Sequence, residues 1–147
     1  MLDKSFIGLE TKPRSVEVEK GQLKFFARAT GEKNPIYFDE TVAKAAGHRA
    51  LPAPPTFLFC LETLAPASDG VMAKLGIDIG RVLHGEQQFT YGKPIYAGDT
   101  ITMTTRIADM YDKKGGALDF IVQDTHAVNQ NGEKVGVSRT VIVVRNG

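Results

Sequence analysis

The stretch that decides the architecture is Thr56-Phe57-Leu58-Phe59-Cys60-Leu61-Glu62-Thr63-Leu64. Six of its nine residues are apolar, with no β-branched run to favour a strand, and Pro54-Pro55 stand just before it. Proline is well suited to a helix start, because its missing N–H has no partner in the first turn anyway. The spacing predicts a helix over 56–64 with almost no polar face. A short helix that is apolar all round belongs in an interior, so something large must cover it.

The second half of the chain supplies that cover. Ile101, Met103, Thr105 and Ile107 repeat every second residue, as do Leu118, Phe120 and Val122, and then Val135, Val137, Val141 and Val143. A period of two puts each set on one face of a strand. Gly115-Gly116 and Asn131-Gly132 mark hairpin turns between them. Residues 82–91 read as a further strand, and Val16 and Val18 as a short first one. Three or four antiparallel strands plus one from the N-terminal half leave a sheet face to bury, and the helix at 56–64 is the only segment apolar enough to do it. The fold class is α+β.

The first half is otherwise helical. Leu23, Phe26, Ala27 and Thr30 fall at helical spacing from Lys20 to Thr30, and Gly31 is a natural stop. Asn34-Pro35 forces a turn. Asp39 is placed to cap a helix from Glu40 to Ala46, which Gly47 ends.

Bulk properties narrow the function. With 147 residues, no repeat, no low-complexity tract and no linker, the chain reads as one domain over 1–147. A net charge of +1 gives no field that would attract nucleic acid or a membrane surface. No apolar run approaches the roughly 20 residues of a membrane span. The N-terminus has no apolar core or cleavage site of a signal segment. A single cysteine, Cys60, suits a reducing compartment, so a cytoplasmic setting is expected. No His, Cys, Asp and Glu set has metal-ligand spacing and no glycine-rich phosphate loop is present, so neither a metal nor a cofactor is expected.

Three segments carry a resemblance. Residues 25–38, FFARATGEKNPIYF, resemble the signature of MaoC-like dehydratases, in which a helix ends in Gly-Asp, then one variable residue, Asn-Pro, an apolar residue and His. Pro54-Pro55-Thr56-Phe57, and His84-Gly85-Glu86-Gln87-Gln88-Phe89-Thr90-Tyr91 continuing to Pro94 and Gly98-Asp99, resemble the N-terminal dehydratase branch of the same superfamily. The resemblance implies a hot-dog fold, an antiparallel sheet wrapped around one buried helix. It also implies a dimer, with itself or a sister hot-dog subunit. The expected ligand is an acyl-CoA or acyl-carrier-protein thioester, and the reaction is hydration of a trans-2-enoyl thioester to the 3-hydroxyacyl form. In such proteins the Asp and His handle the water's protons, and amides at the buried helix's N-terminus polarise the thioester carbonyl.

At both catalytic positions this chain differs. Glu32 stands for the Asp and Tyr37 for the His. Glu32 is still a carboxylic acid, but a phenol with an ordinary pKa of about 10 is a poor proton shuttle at neutral pH. Chains with such a signature often line the acyl tunnel beside a sister subunit that keeps the pair. Asn34 sets the turn between residues 32 and 37. Since Pro54 and Pro55 have no N–H, any helix-end donor must come from Thr56, Phe57 or Leu58.

Other candidates have two readings each. On a regular strand His84 and Glu86 share a face, with Cα atoms about 6.5 to 7 Å apart. They read either as a rival proton-handling pair or as a strand-start histidine bonded to a loop. Asp124 and His126 read as a solvent-face pair, and Cys60 as a small core residue. His48 and Arg49 read as a solvated loop, or as a contact for a CoA or pantetheine phosphate. Alternatives to the hydratase subunit are a self-sufficient hydratase using Glu32, Tyr37 or His84, a hot-dog thioesterase, and a non-enzymatic acyl-thioester-binding partner.

Overall fold

In the computed structural model, which describes residues 3–65 and 70–146, the period-two segments become long strands. β1 runs Arg14–Glu17, β2 Val82–Tyr91, β3 Thr100–Lys113, β4 Leu118–Val128 and β5 Lys134–Arg145. They form one sheet in the order β1-β3-β4-β5-β2, antiparallel at every pairing. The glycine turns close as expected: Gly115, Gly116 and Gly132 have φ of 64°, 90° and 75°, and the Asn129 side chain accepts from the Asn131 and Glu133 amides.

Among the described residues four α-helices accompany the sheet. α1, Lys20–Ala29, ends at Gly31, whose φ is 74°. There the Glu32 amide reaches Ala27 O at 2.9 Å and the Gly31 amide reaches Arg28 O at 3.1 Å, so the helix's last carbonyls are satisfied by a left-handed glycine cap. α2, Glu40–Ala45, starts at Asp39, whose carboxylate accepts from the Thr41 and Val42 amides. α3 is Phe57–Leu64 and α4 is Val71–Lys74.

α3 packs on the inner sheet face at very short range. A Cβ on Gly136 would lie 2.8 Å from Leu58 Cδ2. Leu58 and Leu61 bury themselves against Ile101, Met103, Ala127 and Val135. This is the hot-dog arrangement: a single α+β unit whose sheet carries a central helix.

Three expectations need correction. First, α3 does not cover the sheet alone. A second cluster joins Val71 of α4, with Phe6, Leu9 and Leu75, to Ile107, Met110, Ile121 and Val144. α4 is one turn long, too short for a period to announce it. Second, α3 is not buried all round. Phe57, Leu58 and Leu61 are buried, but Phe59 and Cys60 are half-buried and Leu64 is 41% exposed. Only one side of the helix meets the sheet, and it begins at Phe57, with Thr56 as an N-cap that makes no side-chain bond. Third, Leu118, Phe120 and Val122 do share a face, but it is the outer one. Their neighbours Asp119 and Ile121 are the buried residues, and Phe120 stacks on Tyr111 at 4.8 Å between ring centres. Val135 also departs from Val137, Val141 and Val143, because the register shifts between Ala127 and Val128 and turns it inward.

The loop leading into α3 is clamped to the turn before β3. The Ala97 amide bonds Leu51 O and the Ala53 amide bonds Ile95 O. Behind them Asp99, fully buried, accepts from the Arg49 guanidinium, from Gln130 Nε2 at 2.9 Å and from the Tyr96 amide at 2.8 Å. Burial pushes this carboxyl up, but the Arg49 hydrogen bond, the other two donors and the Arg49 charge together outweigh it and hold the carboxyl below its ordinary value.

Two outcomes follow from this packing. Leu61→Ala should cost about 2 to 5 kcal/mol in urea unfolding; a loss below about 1 kcal/mol would place the core elsewhere. Asp99→Asn should cost about 1.5 to 3 kcal/mol at neutral pH, the worth of hydrogen bonds to a charged group. Because the folded carboxyl is lowered, that difference is fully present above the unfolded value of about 3.9 and shrinks as pH falls through the folded one. Chemical denaturation of both proteins between pH 7 and pH 3 measures it.

Candidate functional site

A cavity of about 340 Å³ lies where the N-terminus of α3, the C-terminal end of β2 and the Pro35–Tyr37 turn converge. Its walls are mostly apolar, with Ile36, Pro52, Pro54, Leu58, Ile95 and Val135 among them, and its polar side chains are Tyr37, His48, Tyr91 and Lys93.

Tyr37 reaches this cavity because of Asn34-Pro35. Asn34 is extended and its side chain accepts from the Ile36 amide at 3.2 Å, while Pro35 opens a one-turn 3-10 helix ending at Tyr37. Asn34 itself is exposed and does not line the cavity, so it acts as a turn former. Burial pushes the Tyr37 phenol above its ordinary value, and the charge of Glu32 adds to this. At neutral pH Tyr37 is therefore a hydrogen-bond donor and not a base.

Glu32 lies outside the cavity lining. Its Oε1 accepts from the Lys33 amide at 2.8 Å and the Asn34 amide at 2.9 Å. Those bonds, Asn34's first, hold its carboxyl below the ordinary value. The carboxylate thus folds back and ties its own turn. Such a group is a weak base.

The second candidate pair is separated. β2 carries a bulge: His84 pairs with Ile142 but Glu86 with Val141, so Gly85 is the extra residue. One inserted residue reverses the alternation. His84 faces inward, its ring 5.5 Å from Phe59 and edge-on to it, while Glu86 faces outward beside Gln88. Neither lines the cavity. Only glycine fits at the bulge, since a Cβ on Gly85 would lie 2.9 Å from Val143 Cγ2 and 3.1 Å from Val141 O.

The helix end also differs from expectation. The Phe57 amide donates to Pro54 O at 2.9 Å, the Leu58 amide to Pro55 O at 3.5 Å and the Phe59 amide to Thr56 O at 3.1 Å. The first-turn donors are thus engaged within their own turn, and only the Thr56 amide lacks an acceptor among the described residues. The Phe57 ring points away from the cavity, into a groove with Phe26 at 5.3 Å.

His48, expected in a solvated loop, lines the cavity instead. Its Nδ1 is 3.1 Å from the Tyr96 hydroxyl, a partner 48 residues away that no local pattern could supply. Arg49 does not face the cavity but pairs with Asp99. Tyr91, Lys93 and Tyr96 were not singled out by sequence reasoning; Tyr91 did stand in the quoted run. Asp124 and His126 lie on the outer face as expected, although the carboxylate's main partner is Arg139, which grips it through two bonds of 2.6 and 2.7 Å. Burial pushes the Cys60 thiol up, which leaves it a weak nucleophile. Among the described residues no group of three or more His, Cys, Asp and Glu side chains could hold a metal, and no helix is long and apolar enough to cross a membrane.

Comparison with known proteins agrees with this geometry. Residues 5–137 match the family described as FAS1-like, dehydratase domain region. A UPF0336 protein of Streptomyces avermitilis is 36% identical over 145 residues, covering 98% of this chain and 95% of that protein. Among solved structures, the C-terminally truncated HadBC (3R-hydroxyacyl-ACP dehydratase) complex of Mycobacterium tuberculosis is similar, with a TM-score of 0.76 and 28% identity over 94% of this chain and 96% of that one. The ChsH1-ChsH2 complex of the same organism follows, with a TM-score of 0.74 and 25% identity over 93% and 89%. With the central helix, the sheet order and a match over most of its length, the chain belongs to the FAS1-like dehydratase domain family.

Proposed function

We propose that this protein is the acyl-thioester-holding subunit of a 3-hydroxyacyl-thioester dehydratase, working in the cytoplasm beside a sister hot-dog chain that keeps the Asp and His. The observation that carries this reading is the contrast within one site. The apolar cavity is intact, but the two residues at the proton-handling positions are unsuited to the task. Tyr37 is a protonated phenol, and Glu32 has one carboxylate oxygen, Oε1, holding two backbone amides that lower its basicity.

Two features support a partner. Both solved complexes cited above combine two differently named chains. In this chain β2 is a ten-residue edge strand with a neighbour on one side only, and an edge of that length calls for cover. The ligand that fits is a trans-2-enoyl or 3-hydroxyacyl thioester of CoA or of a carrier protein, its acyl part against the apolar walls.

Two measurements test the reading. In light scattering at micromolar concentration the chain should run as a dimer, alone or with its sister; a folded monomer in both conditions would sink the partner claim. With crotonyl-CoA and a longer enoyl-CoA, the chain alone should consume little enoyl absorbance. Glu32→Asp with Tyr37→His should raise the rate, toward the 10² to 10⁴-fold or so that a positioned acid or base supplies. Brisk wild-type hydration abolished by Glu32→Gln would make the chain a hydratase in its own right. Release of free thiol would make it a thioesterase.

A further inference from the structure

A thioester carbonyl placed in the cavity needs a hydrogen-bond donor, since a buried acceptor left without one loses free energy. The α3 terminus offers little. Pro54 and Pro55 have no N–H, the amides of Phe57 and Phe59 are engaged and that of Leu58 reaches Pro55 O at 3.5 Å. Thr56, whose amide has no acceptor among the described residues, does not line the cavity. Of the polar side chains in the lining, Tyr91 is 53% exposed and Lys93 is exposed, so both belong to the rim; Tyr37 is half-buried and can donate, but no hydrogen bond among the described residues holds its hydroxyl in place.

His48 is different: it is half-buried and its ring is held. Nδ1 contacts the Tyr96 hydroxyl at 3.1 Å. Tyr96 is fixed in turn by its amide on Asp99 at 2.8 Å and by Arg49, whose guanidinium carbon lies 4.4 Å from the ring centre. Arg49 is anchored on the fully buried Asp99. The imidazole thus stands at the end of a chain of contacts rooted in a carboxylate that cannot move. The tautomer that presents a donor to the cavity is the one in which the Tyr96 hydroxyl donates to His48 Nδ1. Nε2 then carries the proton, and it has no protein partner among the described residues.

We infer that His48 is a ligand-contacting residue of this cavity, its Nε2–H donating to the carbonyl oxygen of the bound thioester, with Tyr96, Arg49 and Asp99 as its positioning residues. The inference rests on the acyl-thioester reading above and names the group that recognises the thioester itself. It gives His48 a role in binding and polarising the carbonyl, separate from the proton transfers expected of the sister chain.

The test compares two probes by titration calorimetry: crotonyl-CoA, and S-crotyl-CoA, a thioether with the same chain and carrier but no carbonyl oxygen. Wild type should bind crotonyl-CoA about tenfold more tightly, the worth of one buried hydrogen bond. His48→Phe should erase that preference without weakening the thioether. His48→Gln, which keeps an N–H donor, should restore part of it. Tyr96→Phe should give an intermediate value, because the ring stays under Arg49 while the orienting hydroxyl is gone. In nitrogen-resolved NMR of the wild type, crotonyl-CoA should shift the His48 imidazole signals and leave those of His126, on the outer face, unmoved. Equal weakening of both probes by His48→Phe, or an unshifted His48 signal with crotonyl-CoA bound, overturns the inference and leaves thioester binding standing. Failure of wild type to bind either probe overturns both. If His48→Phe does not fold, the wild-type NMR shift and the Tyr96→Phe preference decide.

Discussion

Much of this molecule depends on the contact between Leu58 and the bare backbone of Gly136. With no Cβ on β5 at that point, α3 settles onto the inner sheet face far closer than a side chain would allow. That depth puts Leu58 in the floor of the cavity and Leu61 in the main core, and it brings Glu62 low enough to take a hydrogen bond from Thr125 at 2.9 Å. Thr125 is bonded in turn to Thr105, and Gln87 links Ser138 and Thr140 nearby. A polar band therefore crosses the inner face between the two apolar clusters, and its groups are largely satisfied by one another. Raising the helix by one methyl group would separate these partners as well as open the core.

In the turn beside the cavity, backbone and side chains set one another's state. Asn34-Pro35 delivers residue 37 to the wall, and Gly31 ends α1 where the turn must begin. Glu32 curls back onto the Lys33 and Asn34 amides, so its carboxylate stabilises the turn itself. Tyrosine at 37 then sees that charge and a partly desolvated wall, and both keep its proton on. The two residues reinforce each other.

How much was legible in the sequence depended on the range of the interaction. Helix ends were readable because Gly31, Asp39 and Gly47 act on neighbours a few residues away. The α3 run was readable because its apolar residues have no polar face to present. The strands were readable from their period, yet the side of the sheet they faced was not. Asp119 and Ile121 alternate as regularly as Leu118 and Phe120, and only the contacts of β4 decide which set turns inward. Bulges at Gly85 and near Val135 left no mark, since one extra residue is invisible without the partner strand. For the site, Tyr37 could be placed from the resemblance of residues 25–38 to the family signature. His48 could not, because what makes it a fixed group is Tyr96 across the loop and Asp99 beneath it.

The bulge at Gly85 has a consequence for growth of the sheet. β2 is an edge, but it is an edge in two phases: before Gly85 one set of residues faces inward, and after it the other. A straight strand laid alongside can match the hydrogen-bonding rhythm of only one of these segments and falls out of step at the glycine. Open-ended stacking of copies, edge upon edge, is therefore frustrated from within. A partner carrying a compensating irregularity of its own can still seat along the whole length. The strand discriminates by rhythm, before any side chain is read.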